Sequence, residues 1–151
     1  MNRPCFFYSM KRRRSREYAL QILFQLELTG STLNEEVFRA FWENKEEDRS
    51  VKEFTRQIVE NTLAHIHDID ERIKKAAERW SLERMAVIDR SILRAATYEL
   101  AYRSDIPTSV IINEALEIAK KYSTEESASF INGILDNVAR TLSVTAGHKD
   151  S

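Results

Sequence analysis

One cysteine, two prolines and three glycines are all that this 151-residue chain holds of the residues that staple, break or turn a backbone. A lone Cys5 excludes an internal disulfide and fits a reducing compartment such as the cytoplasm. So little glycine and proline leaves little turn chemistry for a sheet protein and favours helices joined by few, short connections. No apolar run approaches the roughly 20 residues of a membrane span. Phe6, Phe7 and Tyr8 fall in a stretch too short for a signal-peptide core, with most nearby charge on its wrong side. Net charge is only −1, so the chain is no bulk polycation and any anion binding has to be local.

Catalytic machinery is scarce as well. No serine lies in a G-x-S-x-G turn, and neither a Walker loop nor G-x-G-x-x-G is present. Of the three histidines, His65 and His67 are two apart, and on a helix they point in different directions. A metal pair prefers i, i+4 spacing, so no metal ligands are expected, and His148 stands alone. Cys5, near the chain start, has no fixed base to activate it. The expectation is a non-enzymatic protein without cofactor or metal.

What is present is helical periodicity and one dense block of positive charge. The apolar fraction of 42% and charged fraction of 31% describe a single soluble globular domain. Five of the six residues from Lys11 to Arg16 are basic: Lys11, Arg12, Arg13, Arg14 and Arg16. They run into Tyr18, Ala19, Leu20, Ile22, Leu23, Phe24 and Leu26, which predict a buried helix over about Ser15 to Leu28, stopped by Gly30. Cations at a helix start oppose its dipole by roughly 0.3–1 kcal/mol each when exposed. A polyanion would complete such an arrangement, and the other reading is a solvated basic arm. Residues 1–10 are expected as a disordered extension, with Met10 a candidate true start.

Six further helices follow from the pattern of apolar residues. The second spans about Asn34 to Trp42, with a polar loop from Glu43 to Arg49. The third is capped by Asp48 or Ser50 and buries Val51, Phe54, Ile58, Leu63 and Ile66. The fourth runs from Asp68 to about Arg79. Ser81 caps a long fifth helix to Tyr102, with Met85, Ile88, Ile92, Ala95, Ala96 and Leu100 inward. Asp105-Ile106-Pro107 breaks the chain, and Thr108 caps a sixth helix to about Tyr122. Ser123 to Glu126 carries the capping-box pattern S-x-x-E before a last helix marked by Ile131, Ile134, Leu135, Val138 and Leu142. Residues 143–151 are expected as a frayed, disordered tail. The fold class is therefore all-α, a compact bundle of about seven helices.

Within the segment from Ile106 to Asp136, Gly133 interrupts a helix at a cost of about 1 kcal/mol against alanine. The favoured reading is a close helix–helix approach at Gly133, with Asn113 and Asn132 bonding buried backbone groups. Phe130 sits one position before the Ile131, Ile134, Val138 face. It is either simply core or an edge aromatic available to stack on a base.

Three blocks carry a resemblance: Arg12-Arg13-Arg14-Ser15-Arg16-Glu17-Tyr18-Ala19-Leu20-Gln21, Val87 to Leu100, and Ile106 to Asp136. In this order and spacing, over about Lys11 to Leu142, the chain resembles the NusB family of bacterial transcription antitermination factors. The resemblance implies two helical subdomains, and binding of the boxA element of nascent ribosomal RNA together with NusE, a small-subunit ribosomal protein. It further implies assembly with RNA polymerase and other Nus factors to suppress termination. By motif match, RNA contact falls to Arg12, Arg13, Arg14 and Arg16, and at the start of the last helix to Glu126, Ser129 and Phe130. Ser129 stands where some members carry lysine, which weakens a phosphate contact there. NusE contact falls to Asp89 and Arg90. Some members pair, so both a monomer and a homodimer stay open for the free chain.

Two other readings stay open beside it. A NusB-like domain also begins certain ribosomal RNA cytosine methyltransferases. This chain carries no Gly-rich nucleotide-binding segment, so it would be such a domain detached from its catalytic half. The other is a protein-binding helical scaffold with the basic run as a solvated arm.

Overall fold

The computed structural model describes the backbone of residues 2–145 and the side chains of residues 9–143. The described residues form seven α-helices and a short 3-10 turn, with no strand. They divide into two compact units, Met1–Asn61 and Thr62–Ser151, the division falling within the third helix.

The first unit holds α1 (Asn2–Thr29), α2 (Glu35–Trp42) and most of α3 (Arg49–Ala64). The first helix begins at Asn2 and not at Ser15, so residues 2–10 are helical where a disordered extension was expected. Pro4 is tolerated because it lies in the first turn, where its missing N–H would have had no partner. Arginine and lysine are good helix formers and carry the helix onward. Gly30 adopts φ +68° and its N–H returns to the Leu26 carbonyl at 2.9 Å, the left-handed stop that glycine accepts at little cost. Asn34 caps α2 by accepting from the Val37 N–H at 3.1 Å.

Ala19, Leu20, Ile22, Leu23 and Leu26 of α1 are buried, as are Phe38 of α2 and Val51, Phe54, Ile58 and Val59 of α3. Each large aliphatic side chain so buried contributes about 1.5–3 kcal/mol. The Ser15 hydroxyl registers α1 against α3 by donating to the Val51 carbonyl at 2.9 Å, while the Thr55 hydroxyl donates to the same carbonyl within α3 at 2.8 Å.

The second unit holds α4 (Ile66–Ala77), the 3-10 turn Leu82–Arg84, α5 (Val87–Tyr102), α6 (Thr108–Tyr122) and α7 (Glu125–Thr145). Helix α7 packs on α4, α5 and α6 through Ala128, Ile131, Ile134, Leu135 and Val138, all buried. Helix α5 is buried nearly all round, with Ser91, Leu93, Thr97 and Glu99 inside besides Ile92, Ala96 and Leu100. The single inward stripe expected for it, which included Ile88 and Ala95, is therefore too narrow; both of those are half-buried.

Several boundaries differ from expectation. Ser81 does not cap a long helix; its hydroxyl donates to Glu83 at 3.0 Å. A 3-10 turn follows, and α5 starts at Val87 after two extended residues, Met85 and Ala86. Arg90 causes the detour: its guanidinium donates to the carbonyls of Leu82, Glu83 and Met85 at 3.2–3.4 Å. Pro107 rather than Thr108 occupies the N-cap position of α6. At α7 the capping oxygen belongs to Thr124, which accepts from the Ser127 N–H at 2.9 Å. Residues 143–145 continue α7, and the rest of the expected tail lies outside the described residues.

The expectation for Gly133 is overturned. A methyl group added there would meet nothing within 4 Å, and Gly133 and Asn113 are exposed while Asn132 is half-buried. No helix approaches closely at that glycine.

Candidate nucleic-acid interface

The basic run lies roughly two and a half turns into α1, at 3.6 residues per turn. It therefore does not sit on the positive helix end, and the dipole argument for a completing polyanion does not apply. Its side chains follow helical geometry instead. Arg12 and Arg16, four apart, turn toward Phe54, with guanidinium carbons 4.2 and 5.5 Å from the ring centre. Arg16 is only 8% exposed. Arg13 is half-buried.

Lys11 and Arg14, three apart, face the loop between α2 and α3. Lys11 pairs with Asp48 at 2.8 Å. Arg14 grips Glu47 with two bonds, Nε at 3.1 Å and Nη2 at 3.2 Å. The same carboxylate accepts from the Tyr18 hydroxyl at 2.6 Å. Burial pushes the Glu47 carboxyl up, but the Tyr18 and Arg14 hydrogen bonds outweigh it and hold it below its ordinary value. Tyr18 moves the other way, pushed up to about 12 by burial and by its bond to Glu47.

In the second unit, Glu126 and Ser129 are exposed and Phe130 is half-buried. Glu126 and Phe130 line a groove of about 520 Å³, with Arg79, Trp80, Arg84 and Met85 on its other walls. Trp80 is 56% exposed, and its ring meets Phe130 edge-on at 5.3 Å. Two aromatic rings with two arginines nearby can hold a planar base between π faces and cations. Ser129 is not on this groove. Trp80, Arg79 and Arg84 did not emerge from the sequence; an aromatic between charged residues at a helix end was the available signal.

Asp89 is buried at 6% exposure and accepts from the hydroxyls of Ser123 and Ser127, both at 2.8 Å. It pins the α6–α7 corner to α5. Arg90 is occupied with the 3-10 turn carbonyls. Of the two residues expected to touch NusE, Asp89 thus turns inward, while Arg90 is half-buried and braced on the turn. Among the described residues no cluster of three or more His, Cys, Asp or Glu side chains is placed to hold a metal. Cys5 and His148 lie outside the residues whose side chains are described.

An all-helical protein with a cationic helix face in one unit and an aromatic-walled groove in the other belongs among helical nucleic-acid-binding proteins. The family model of NusB matches residues 13–140, and the chain belongs to the NusB family. It is 50% identical over 141 residues to the transcription antitermination protein NusB of Thermodesulfovibrio yellowstonii, covering 87% of this chain and 93% of that protein. It is 43% identical over 129 residues to that of Bacillus subtilis, covering 85% and 95%. Among solved structures, T. maritima NusB superposes with TM-score 0.77 at 38% identity, covering 91% of this chain and 92% of that one. A complex of antitermination factors NusB and NusE with dsRNA superposes at 0.79 with 25% identity, covering 87% and 98%.

Proposed function

We propose that this protein is a transcription antitermination factor that binds the boxA element of nascent ribosomal RNA together with NusE. It acts as a non-enzymatic adaptor that helps RNA polymerase, with other Nus factors, resist termination. The observation that carries the reading is its match to NusB proteins over nearly their whole length, one of which is solved with NusE and RNA. That coverage also favours the adaptor over a detached methyltransferase domain.

The residue assignment follows the family resemblance, and the geometry suggests how the roles divide. Arg12, Arg13 and Arg14 supply phosphate contacts from α1, while Arg16, packed on Phe54, supports that face from beneath. Phe130 and Trp80 supply stacking for a splayed base, with Glu126 on the same groove and Ser129 exposed nearby on α7. Asp89 and Arg90 serve NusE indirectly, through the corner and turn they hold. No helix among the described residues is long and apolar enough to cross a membrane, and the place of action is the cytoplasm, where the transcript emerges. The free protein is a monomer or a homodimer, which sedimentation with and without RNA distinguishes.

The test is a titration of a boxA oligonucleotide and its scramble, with and without NusE. The expected outcome is boxA preference that strengthens when NusE is present. Equal binding of both RNAs under all conditions overturns the reading.

A further inference from the structure

The loop between α2 and α3 is acidic: from Glu43 to Asp48 it holds Glu43, Glu46, Glu47 and Asp48 against the single cation Lys45. Two of these carboxylates close on two cations of the α1 basic face. Asp48 holds Lys11 at 2.8 Å, with side chains 54% and 43% exposed. Glu47 holds Arg14 by two donors and Tyr18 by a third. The two pairs differ in accessibility. The Glu47 side chain is only 10% exposed, while Arg14 remains 41% exposed.

We propose that Glu47 and Asp48 are specificity-determining residues, which neutralise Arg14 and Lys11 so that RNA lacking the cognate sequence gains little from the basic face. The inference rests on the RNA-binding reading above. A phosphate seeking the Nε and Nη2 donors of Arg14 must displace a carboxylate that is nine-tenths buried. Displacement would leave that carboxylate, still held by the Tyr18 hydroxyl, without its cation, a penalty at a largely buried site. Non-cognate RNA, bound chiefly through phosphates, has nothing else to offset it. Cognate RNA adds base contacts that offset this penalty, and Arg14, 41% exposed, stays within its reach. The loop thus lowers binding to any polyanion more than binding to the right one.

The experiment compares the full chain with Glu47→Gln, Asp48→Asn and the double variant, each checked for helicity by circular dichroism. A scrambled single-stranded RNA and a boxA RNA are titrated over a range of salt, with NusE present in a parallel series. For the double variant, scrambled RNA should bind roughly three- to thirtyfold tighter, with a salt slope steeper by up to about 1.4 if two phosphate contacts are gained. The boxA affinity should change less, so the ratio of boxA to scrambled binding falls. Unchanged affinity and slope for scrambled RNA overturn the proposal. So does weaker binding of both RNAs, which would mean that the carboxylates orient the cations for RNA. Asp48→Asn alters a half-exposed pair and keeps the test decisive if Glu47→Gln unfolds. If the unaltered chain with NusE fails to prefer boxA, the functional reading falls, while the scrambled-RNA titration still decides the role of the loop.

Discussion

Tyr18 shows how one side chain can couple packing to charge. Its ring meets Phe41 and Trp42 edge-on at 5.7 and 5.0 Å, and its hydroxyl is given to Glu47. A phenol so placed is harder to ionise than in the unfolded chain. Its value of about 12 against an ordinary 10.0 means that its stabilising effect is complete below pH 10 and is lost as pH climbs toward 12. Burial also raises Tyr98 and Tyr102, so spectrophotometric titration of the phenolate band should show a late component that shrinks by one phenol in Tyr18→Phe; an unchanged late component in that variant would contradict it. Glu47 has the opposite sign. Its depressed value means its contribution is present above the ordinary 4.5 and is lost as pH falls through the folded value. Asp89 is the second residue with a clear prediction. Asp89→Ala takes the acceptor from the half-buried hydroxyls of Ser123 and Ser127, at about 1–3 kcal/mol in all. Thermal unfolding should shift down accordingly; an unchanged midpoint would show that the corner does not depend on Asp89.

Helix α7 separates local helix preference from tertiary need. Gly133 lies inside it, exposed, with open space where a side chain would go. Gly133→Ala should therefore stabilise the protein by about 0.5–1 kcal/mol, read as a raised denaturation midpoint. A loss of stability would mean that the glycine meets a neighbour after all. Thr124→Ala should act the other way, by about 1 kcal/mol, because the Ser127 N–H loses its cap. The elements most legible in the sequence are those whose signals are local. Asn34, Gly30 and the Asp105-Ile106-Pro107 break mark their boundaries through side-chain caps and backbone restriction alone. The apolar spacing of α7 gave its buried face for the same reason. Ser81 misled because Arg90, nine residues on, reaches back to the preceding carbonyls and holds a 3-10 turn there. The basic run misled about its place in α1 because good helix formers extend a helix without marking its start. Asp89 carried no sign of its burial, since its partners Ser123 and Ser127 lie more than thirty residues away.

At the scale of the whole molecule, the proposed RNA-binding residues fall into two kinds of physics, one in each unit. The first unit offers cations, the second an aromatic groove. Cations act through counterion release and make binding depend on salt, whereas stacking on Trp80 and Phe130 does not. The two contributions can thus be separated with one RNA and two variants. If Arg12, Arg13 and Arg14 each neutralise a phosphate, the slope of log K against log salt should be about −2, at roughly −0.7 per phosphate of a single strand. Arg13→Ala should flatten that slope by about 0.7 and weaken binding most at low salt. Phe130→Ala should leave the slope alone and weaken binding by about 1–3 kcal/mol at every salt concentration. An unchanged slope in Arg13→Ala removes that arginine from phosphate contact, and unchanged affinity in Phe130→Ala removes the groove from base stacking. So few phosphate contacts also make binding by this protein alone weak at physiological salt. NusE should then raise boxA affinity through protein–protein and base contacts, with a change in slope smaller than the change in affinity requires from charge alone. A gain carried wholly by a steeper slope would instead make NusE a source of added cations.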